Sequence, residues 1–152
     1  MTKIEKYKLV NAKLAALISK DNHLISNFAN FVALFKEAFP TFSWIGFYFK
    51  EEDELILGPF QGKVACTKIK IGDGVCGTAF QKTEAMIVPN VHNFPGHIAC
   101  DSGSNSEIVI PFYINKQYSG VLDADSYDYN NFDVDDFKGL SEALRIFKAS
   151  VI

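Results

Sequence analysis

Cysteine is scarce in this chain: three among 152 residues, with no Cys-x-x-Cys pair. An odd number without signs of secretion excludes a framework of structural disulfides and points to reactive or metal-binding thiols. Blocks of like charge are also missing. The 15 Lys and Arg are dispersed among 18 Asp and Glu for a net charge of -3, so no basic stripe follows a phosphate backbone and nucleic acid is not an expected partner. No run approaches the roughly 18 apolar residues of a membrane span. The opening MTKIEKYKLV is charged and lacks the apolar core of an export signal, so a cytoplasmic protein away from membranes is expected. Repeats, linkers and low-complexity tracts are absent, and 152 residues suit one domain, expected over 1–152.

Aromatic residues, in contrast, are plentiful: 14 Phe, 6 Tyr and 1 Trp within a hydrophobic fraction of 48%, enough for a large core and too much for disorder. Ile4, Tyr7, Val10, Leu14, Leu17 and Ile18 recur at helical spacing. Asp21 is placed to cap a second helix carrying Leu24, Phe28, Phe31, Val32 and Phe35, which Pro40 halts. The N-terminal helices therefore span about 3–39. From Ser43 the period changes to two: SWIGFYF and ELILGPF read as a hairpin around an acidic turn. Extended pieces follow at Ala65 to Ile71 and Ala85 to Val88, with a short helix in GDGVCGTAFQK between them. SEIVIPFYI and YSGVLDADS supply two more strands, so the sheet and its loops occupy about 43–126. A last helix, about 133–150, starts near Asp133 with Asp135 and Asp136 in its first turn and Phe137, Leu140, Leu144 and Phe147 inward. This order describes an α+β domain with helices on one side of an antiparallel sheet.

Strand alternation singles out the candidate site. Trp44, Gly46 and Tyr48 share a face opposite Ile45, Phe47 and Phe49. Two aromatics about 13 Å apart at roughly 3.3 Å per residue, across a residue without a side chain, leave room for a small ligand. They serve equally as packing beneath a helix. Asp123 and Asp125 share one face while Leu122 and Ala124 take the other. Carboxylates are depleted in strands, so such a pair faces water, a metal, a cationic ligand or each other. Glu107 starts the neighbouring strand, and three converging carboxylates should raise at least one pKa.

The thiols come from separate segments. Cys66 lies in an apolar extended piece and fits a buried inert thiol. Cys76 sits in the Gly-flanked GDGVCGTA. Cys100 occupies the long loop 89–105, PNVHNFPGHIACDSGSN, of a length usually functional or disordered. The small residues Asp101, Ser102, Gly103 and Ser104 after it have amides able to hydrogen-bond a thiolate. Two mobile thiols, Cys76 and Cys100, suggest disulfide chemistry. Ligand type alone also permits a zinc site of Cys66, Cys76, Cys100 and either His92 or His97.

LGPFQGK, ACTKIKIGDGVCGTA, FPGHIACDSGSNSEIVIPF and GVLDADS together resemble the free methionine-(R)-sulfoxide reductases of the GAF family, from about Trp44 to Asp125. Val64, Asp73 and Tyr127 depart from that pattern, where proline, a basic residue and proline are expected. The resemblance implies a GAF-like α+β domain with a six-stranded antiparallel sheet, an enclosed small-molecule pocket and often a homodimer. It implies Cys100 as nucleophile, Cys76 as the resolving thiol that forms a disulfide with it, and Cys66 as an accessory thiol. Trp44, Tyr48, Glu107, Asp123 and Asp125 match its substrate-contacting positions. The implied activity is reduction of free methionine sulfoxide, with neither metal nor organic cofactor and with thioredoxin as external reductant. A non-enzymatic GAF module that binds a small molecule, or senses redox state, is the alternative.

Overall fold

The computed structural model describes residues 1–98, 100 and 103–152. Helix α1 spans Lys3–Leu17, and Thr2 and Glu5 close a reciprocal cap at its start. Tyr7, Val10, Leu14 and Ile18 are buried as the spacing predicts, whereas Ile4 and Leu17 face outward. Helix α2, Leu24–Ala38, is capped by His23, whose side chain accepts from the Ile25 amide. The expected Asp21 cap is therefore corrected: the chain turns at Asn22 before the helix starts.

Six strands form one antiparallel sheet: β1 Trp44–Glu51, β2 Glu54–Gln61, β3 Lys68–Lys70, β4 Met86–Val88, β5 Ser106–Tyr113 and β6 Ser119–Ser126. Their spatial order is β3-β2-β1-β6-β5-β4. The expected strand from Ala65 to Ile71 shrinks to β3, leaving Ala65 and Cys66 in a loop. Helix α3, Gly74–Lys82, follows β3, and α4, Val134–Val151, closes the chain. Asp133 and Asp136 form a capping box at the start of α4. Asp136 is buried, accepts from Tyr7 Oη at 2.7 Å and pairs with Lys3 Nζ at 2.8 Å, tying α1 to α4.

The sheet separates two cores. On one face Ile45, Phe47, Ile108, Ile110, Leu122 and Ala124 pack under α1, α2 and α4. Phe28 is the hub there, with ring centroids 4.6 Å from Phe147 and 4.8 Å from Phe47. On the other face Trp44, Tyr48, Val109 and Val121 meet α3 through Val75, Cys76 and Ala79. The expectation of helices on one side is thus corrected: three helices cover one face and α3 covers the other. Gly77 permits this seat, because a Cβ there would lie 2.5 Å from the Lys70 carbonyl oxygen. Among the described residues, no helix is long and apolar enough to cross a membrane.

Candidate active site

Register places the carboxylates. Glu107 on β5 lies opposite Asp125 on β6, and Asp123 lies between Val109 and Gly46 on its flanking strands. The period of two sends Asp123 and Asp125 to the α3 face, while Leu122 and Ala124 enter the aromatic core. Helix α3 then drops Cys76 onto the acids, with its Sγ 3.9 Å from Glu107 Oε2. One ligand atom from each of Cys76, Glu107 and Asp123 lies within 4.8 Å of the others, and all three residues are buried.

Trp44 and Tyr48 wall this cavity but do not stand apart across an open gap. Their ring centroids are 6.1 Å apart, because the indole folds back over Gly46. A Cβ at Gly46 would meet Trp44 Cη2 at 2.4 Å. The space that the missing side chain leaves is filled by tryptophan, a correction to the expected ligand gap. Trp44 Nε1 donates to the Lys63 carbonyl at 3.1 Å and Tyr48 Oη to the Cys66 carbonyl at 2.8 Å, so both aromatics anchor the loop that carries Cys66.

The thiols are not arranged as the resemblance implies. A disulfide joins Cys66 to Cys100, with Cα atoms 5.5 Å apart, and Cys76 is free and buried. The expected Cys76–Cys100 pairing is therefore corrected. Cys66 is half-buried in a loop beside Cys100, and Cys76 is held on a helix facing the carboxylates. The glycines flanking Cys76 were expected to give it freedom, and the structure instead builds it into the first turn of α3, buried against the sheet. The zinc set of three cysteines and a histidine also fails in this state, since two of its sulfurs are bonded to each other. His92 Nε2 pairs instead with Asn105 Oδ1 at 2.8 Å. His97 lines the cavity, and burial together with His92 holds its pKa below the ordinary value. Asp101 and Ser102, whose amides were expected to face Cys100, lie outside the described residues.

Burial dominates the electrostatics. Loss of solvent, then repulsion from Asp123 and Asp125, pushes the Glu107 carboxyl well above the usual range. Burial raises Asp123, and the neighbouring Glu107, Cys76 and Asp125 side chains partly offset that shift. Burial and the same acids raise the Cys76 thiol, so it stays protonated and is a poor nucleophile. Tyr48 is likewise raised, first by burial and then by Asp123, and remains a hydrogen-bond donor.

Two features of the site escaped sequence reasoning. Ser104 is buried in the cavity wall with its Oγ unpartnered, although its place in a run of small residues suggested only backbone donors. Ile98 closes over Gly74 from an irregular loop that carries no periodic signal. The cavity measures about 50 Å³, room for a few waters but not for an amino acid while the disulfide is closed.

No family model matches the sequence. It is 48% identical over 146 residues to GAF domain-containing protein A of Dictyostelium discoideum, covering 95% of this chain and 92% of that one. It is 44% identical over 142 residues to the free methionine-R-sulfoxide reductase of Escherichia coli, covering 93% and 86%. The chain belongs to the free methionine-R-sulfoxide reductase family. Its fold is that of a GAF domain. The reductase of Neisseria meningitidis, solved in complex with its substrate, superposes with a TM-score of 0.92 at 40% identity, covering 99% of this chain and 91% of that one. Family membership makes the cavity between α3 and the sheet the candidate active site, with the Cys66–Cys100 disulfide at its edge.

Proposed function

We propose that this chain reduces free L-methionine-(R)-sulfoxide to L-methionine with the Cys100 thiolate, using neither metal nor organic cofactor. The observation that carries the reading is a disulfide ending on Cys100 in the wall of a cavity that Glu107, Asp123 and Asp125 line. When the disulfide is reduced, the loop bearing Cys100 is released and the cavity opens to substrate. Asp123 and Asp125 take the α-ammonium, which fits a buried acidic floor and favours the free amino acid over a peptide, whose nitrogen is acylated. Trp44 and Tyr48 enclose the S-methyl end.

The Cys100 thiolate attacks the sulfoxide sulfur, which carries partial positive charge. The oxygen must gain a proton as its bond to sulfur breaks. Glu107 supplies it, since burial and then the neighbouring Asp123 and Asp125 raise that carboxyl well above the usual carboxylate range and so favour its protonated form. Oxygen passes to Cys100 as a sulfenic acid, methionine leaves, and sulfur in the substrate is reduced by two electrons. The Cys66 thiol then attacks the sulfenic sulfur, forming the Cys66–Cys100 bond and expelling water. The geometry of the closed disulfide supports Cys66 in this resolving role, and the raised, buried thiol of Cys76 argues against a share for it. A cytoplasmic dithiol protein of the thioredoxin class returns two electrons and two protons by disulfide exchange.

The test is a coupled assay with racemic free methionine sulfoxide, thioredoxin, thioredoxin reductase and NADPH. NADPH consumption is expected to stop near half of the added sulfoxide, one epimer having been used, and Cys100→Ser is expected to consume none. Thioredoxin-dependent turnover by Cys100→Ser at the wild-type rate would overturn the assignment of the nucleophile. No consumption by the wild type, with recycling verified on another disulfide, would overturn the activity or its reductant, which a small-molecule dithiol in place of thioredoxin separates.

A further inference from the structure

Cys76 is the one cysteine that the proposed reaction leaves unused, yet it lies 96% buried against two acids. A substrate ammonium accounts for the carboxylates. It does not account for a sulfur ligand among them. Glu107 and Asp123 are themselves 93% and 95% buried, and Asp123 Oδ1 has no hydrogen-bond partner although it lines the cavity. Ser104 Oγ, also buried and unpartnered, lines the same space. These are polar groups poised for a cation that can satisfy them.

We propose that Cys76, Glu107 and Asp123 form a binding site for one thiophilic divalent cation of the zinc class, acting as an inhibitory ligand and not as a cofactor. Thiolate and carboxylate oxygens are the donor types that zinc takes in tetrahedral sites, with bonds of about 2.3 Å to sulfur and about 2.0–2.2 Å to oxygen. Ligand atoms around such an ion stand about 3.3–3.7 Å apart. The three donors, within 4.8 Å of one another, reach that spacing by small side-chain rotations. The fourth position falls to water. On binding, the Cys76 thiol proton and the Glu107 carboxyl proton leave to solvent, so that one thiolate and two carboxylates surround the dication and the loaded site keeps one net negative charge. No electron is transferred. The cavity of about 50 Å³ is too small for an amino acid but ample for an ion and its water, so the disulfide form is competent to bind. Inhibition rests on the reading that Asp123 and Glu107 serve the substrate; binding itself does not.

The decisive measurement uses the metal-free disulfide form, in which Cys76 is the single free thiol. Cadmium chloride is titrated while the ultraviolet charge-transfer absorption of a cadmium–thiolate bond is followed, and zinc chloride is titrated by calorimetry in two buffers of different ionisation enthalpy. The expected result is absorption that saturates at one equivalent, zinc binding that releases protons, and a Cys76→Ser variant that binds at least about tenfold more weakly. Absence of the absorption band in the wild type overturns the proposal whatever the variant does. Equal zinc affinity in wild type and Cys76→Ser also overturns it, leaving only carboxylate binding. Neither arm depends on sulfoxide turnover, so failure here and failure of the proposed reaction are distinguishable.

Discussion

The two faces of the sheet are made by the same strands and follow opposite rules. Beneath α1, α2 and α4, β6 contributes Leu122 and Ala124 to the core, and Phe28, Phe31, Phe35, Phe42, Phe47 and Phe147 are all fully buried. Beneath α3, the alternate residues of the same β6 include Asp123 and Asp125 beside Val121, with Glu107 opposite Asp125. The first face stabilises by apolar burial at roughly 25 cal/mol per Å². The second accumulates like charges and unpartnered oxygens that oppose folding. A domain can hold such a site because the other half of its interior stabilises the fold, and the site keeps its chemistry because the carboxyls are denied water.

The comparison breaks most completely if the rule of one face is imposed on the other. Leu122→Asp puts a carboxyl among the phenylalanines next to residues that tolerate it, and is expected to destabilise by more than about 4 kcal/mol. Loss of the cooperative denaturant transition checks this, and a variant that unfolds like wild type contradicts the division into two faces. Glu107→Gln keeps the shape of the site and removes the proposed proton donor, so kcat should fall about 10²- to 10⁴-fold while the fold persists. Steady-state kinetics beside circular dichroism measure both. A fall in affinity alone, with kcat retained, would move the acid role elsewhere.

The same Glu107→Gln variant should be more stable than wild type above neutral pH. The Glu107 carboxyl is raised in the folded state, so its contribution is fully present below the unfolded carboxyl value of about 4.3 and is lost as pH rises toward the folded pKa. The amide does not titrate. The difference between the two proteins should therefore widen in favour of the amide as pH rises from about 4 to about 8, read from urea midpoints across pH. A constant difference across that range would mean that burial does not control this group. On the apolar side, Tyr7→Phe removes the 2.7 Å hydrogen bond to Asp136 that ties α1 to α4. A loss of about 1–3 kcal/mol is expected, with activity unchanged.

Much of this was legible beforehand. Period-two alternation put Asp123 and Asp125 on one face and Leu122 and Ala124 on the other, and helical spacing identified Phe28, Phe31 and Phe35 as core, because both patterns are local and a single strand or helix enforces them. Glu107 was found because its strand begins there. The family motifs supplied the position of the proposed nucleophile, Cys100, which periodicity alone does not.

What the sequence by itself determined is therefore the inventory of elements and the face on which each side chain of a regular element points. The tertiary structure alone decided which thiols meet. Cys66, Cys76 and Cys100 lie in three segments whose separations along the chain say nothing of their distances in space, and a disulfide needs Cα atoms about 4.4–6.8 Å apart. Docking of α3 onto the sheet took Cys76 inward to the acids, and the loop after β2, pinned by Trp44 and Tyr48, brought Cys66 to Cys100. Tertiary packing also turned Trp44 over Gly46, since a residue's face follows from backbone period but the direction of a long ring follows from the space its neighbours leave.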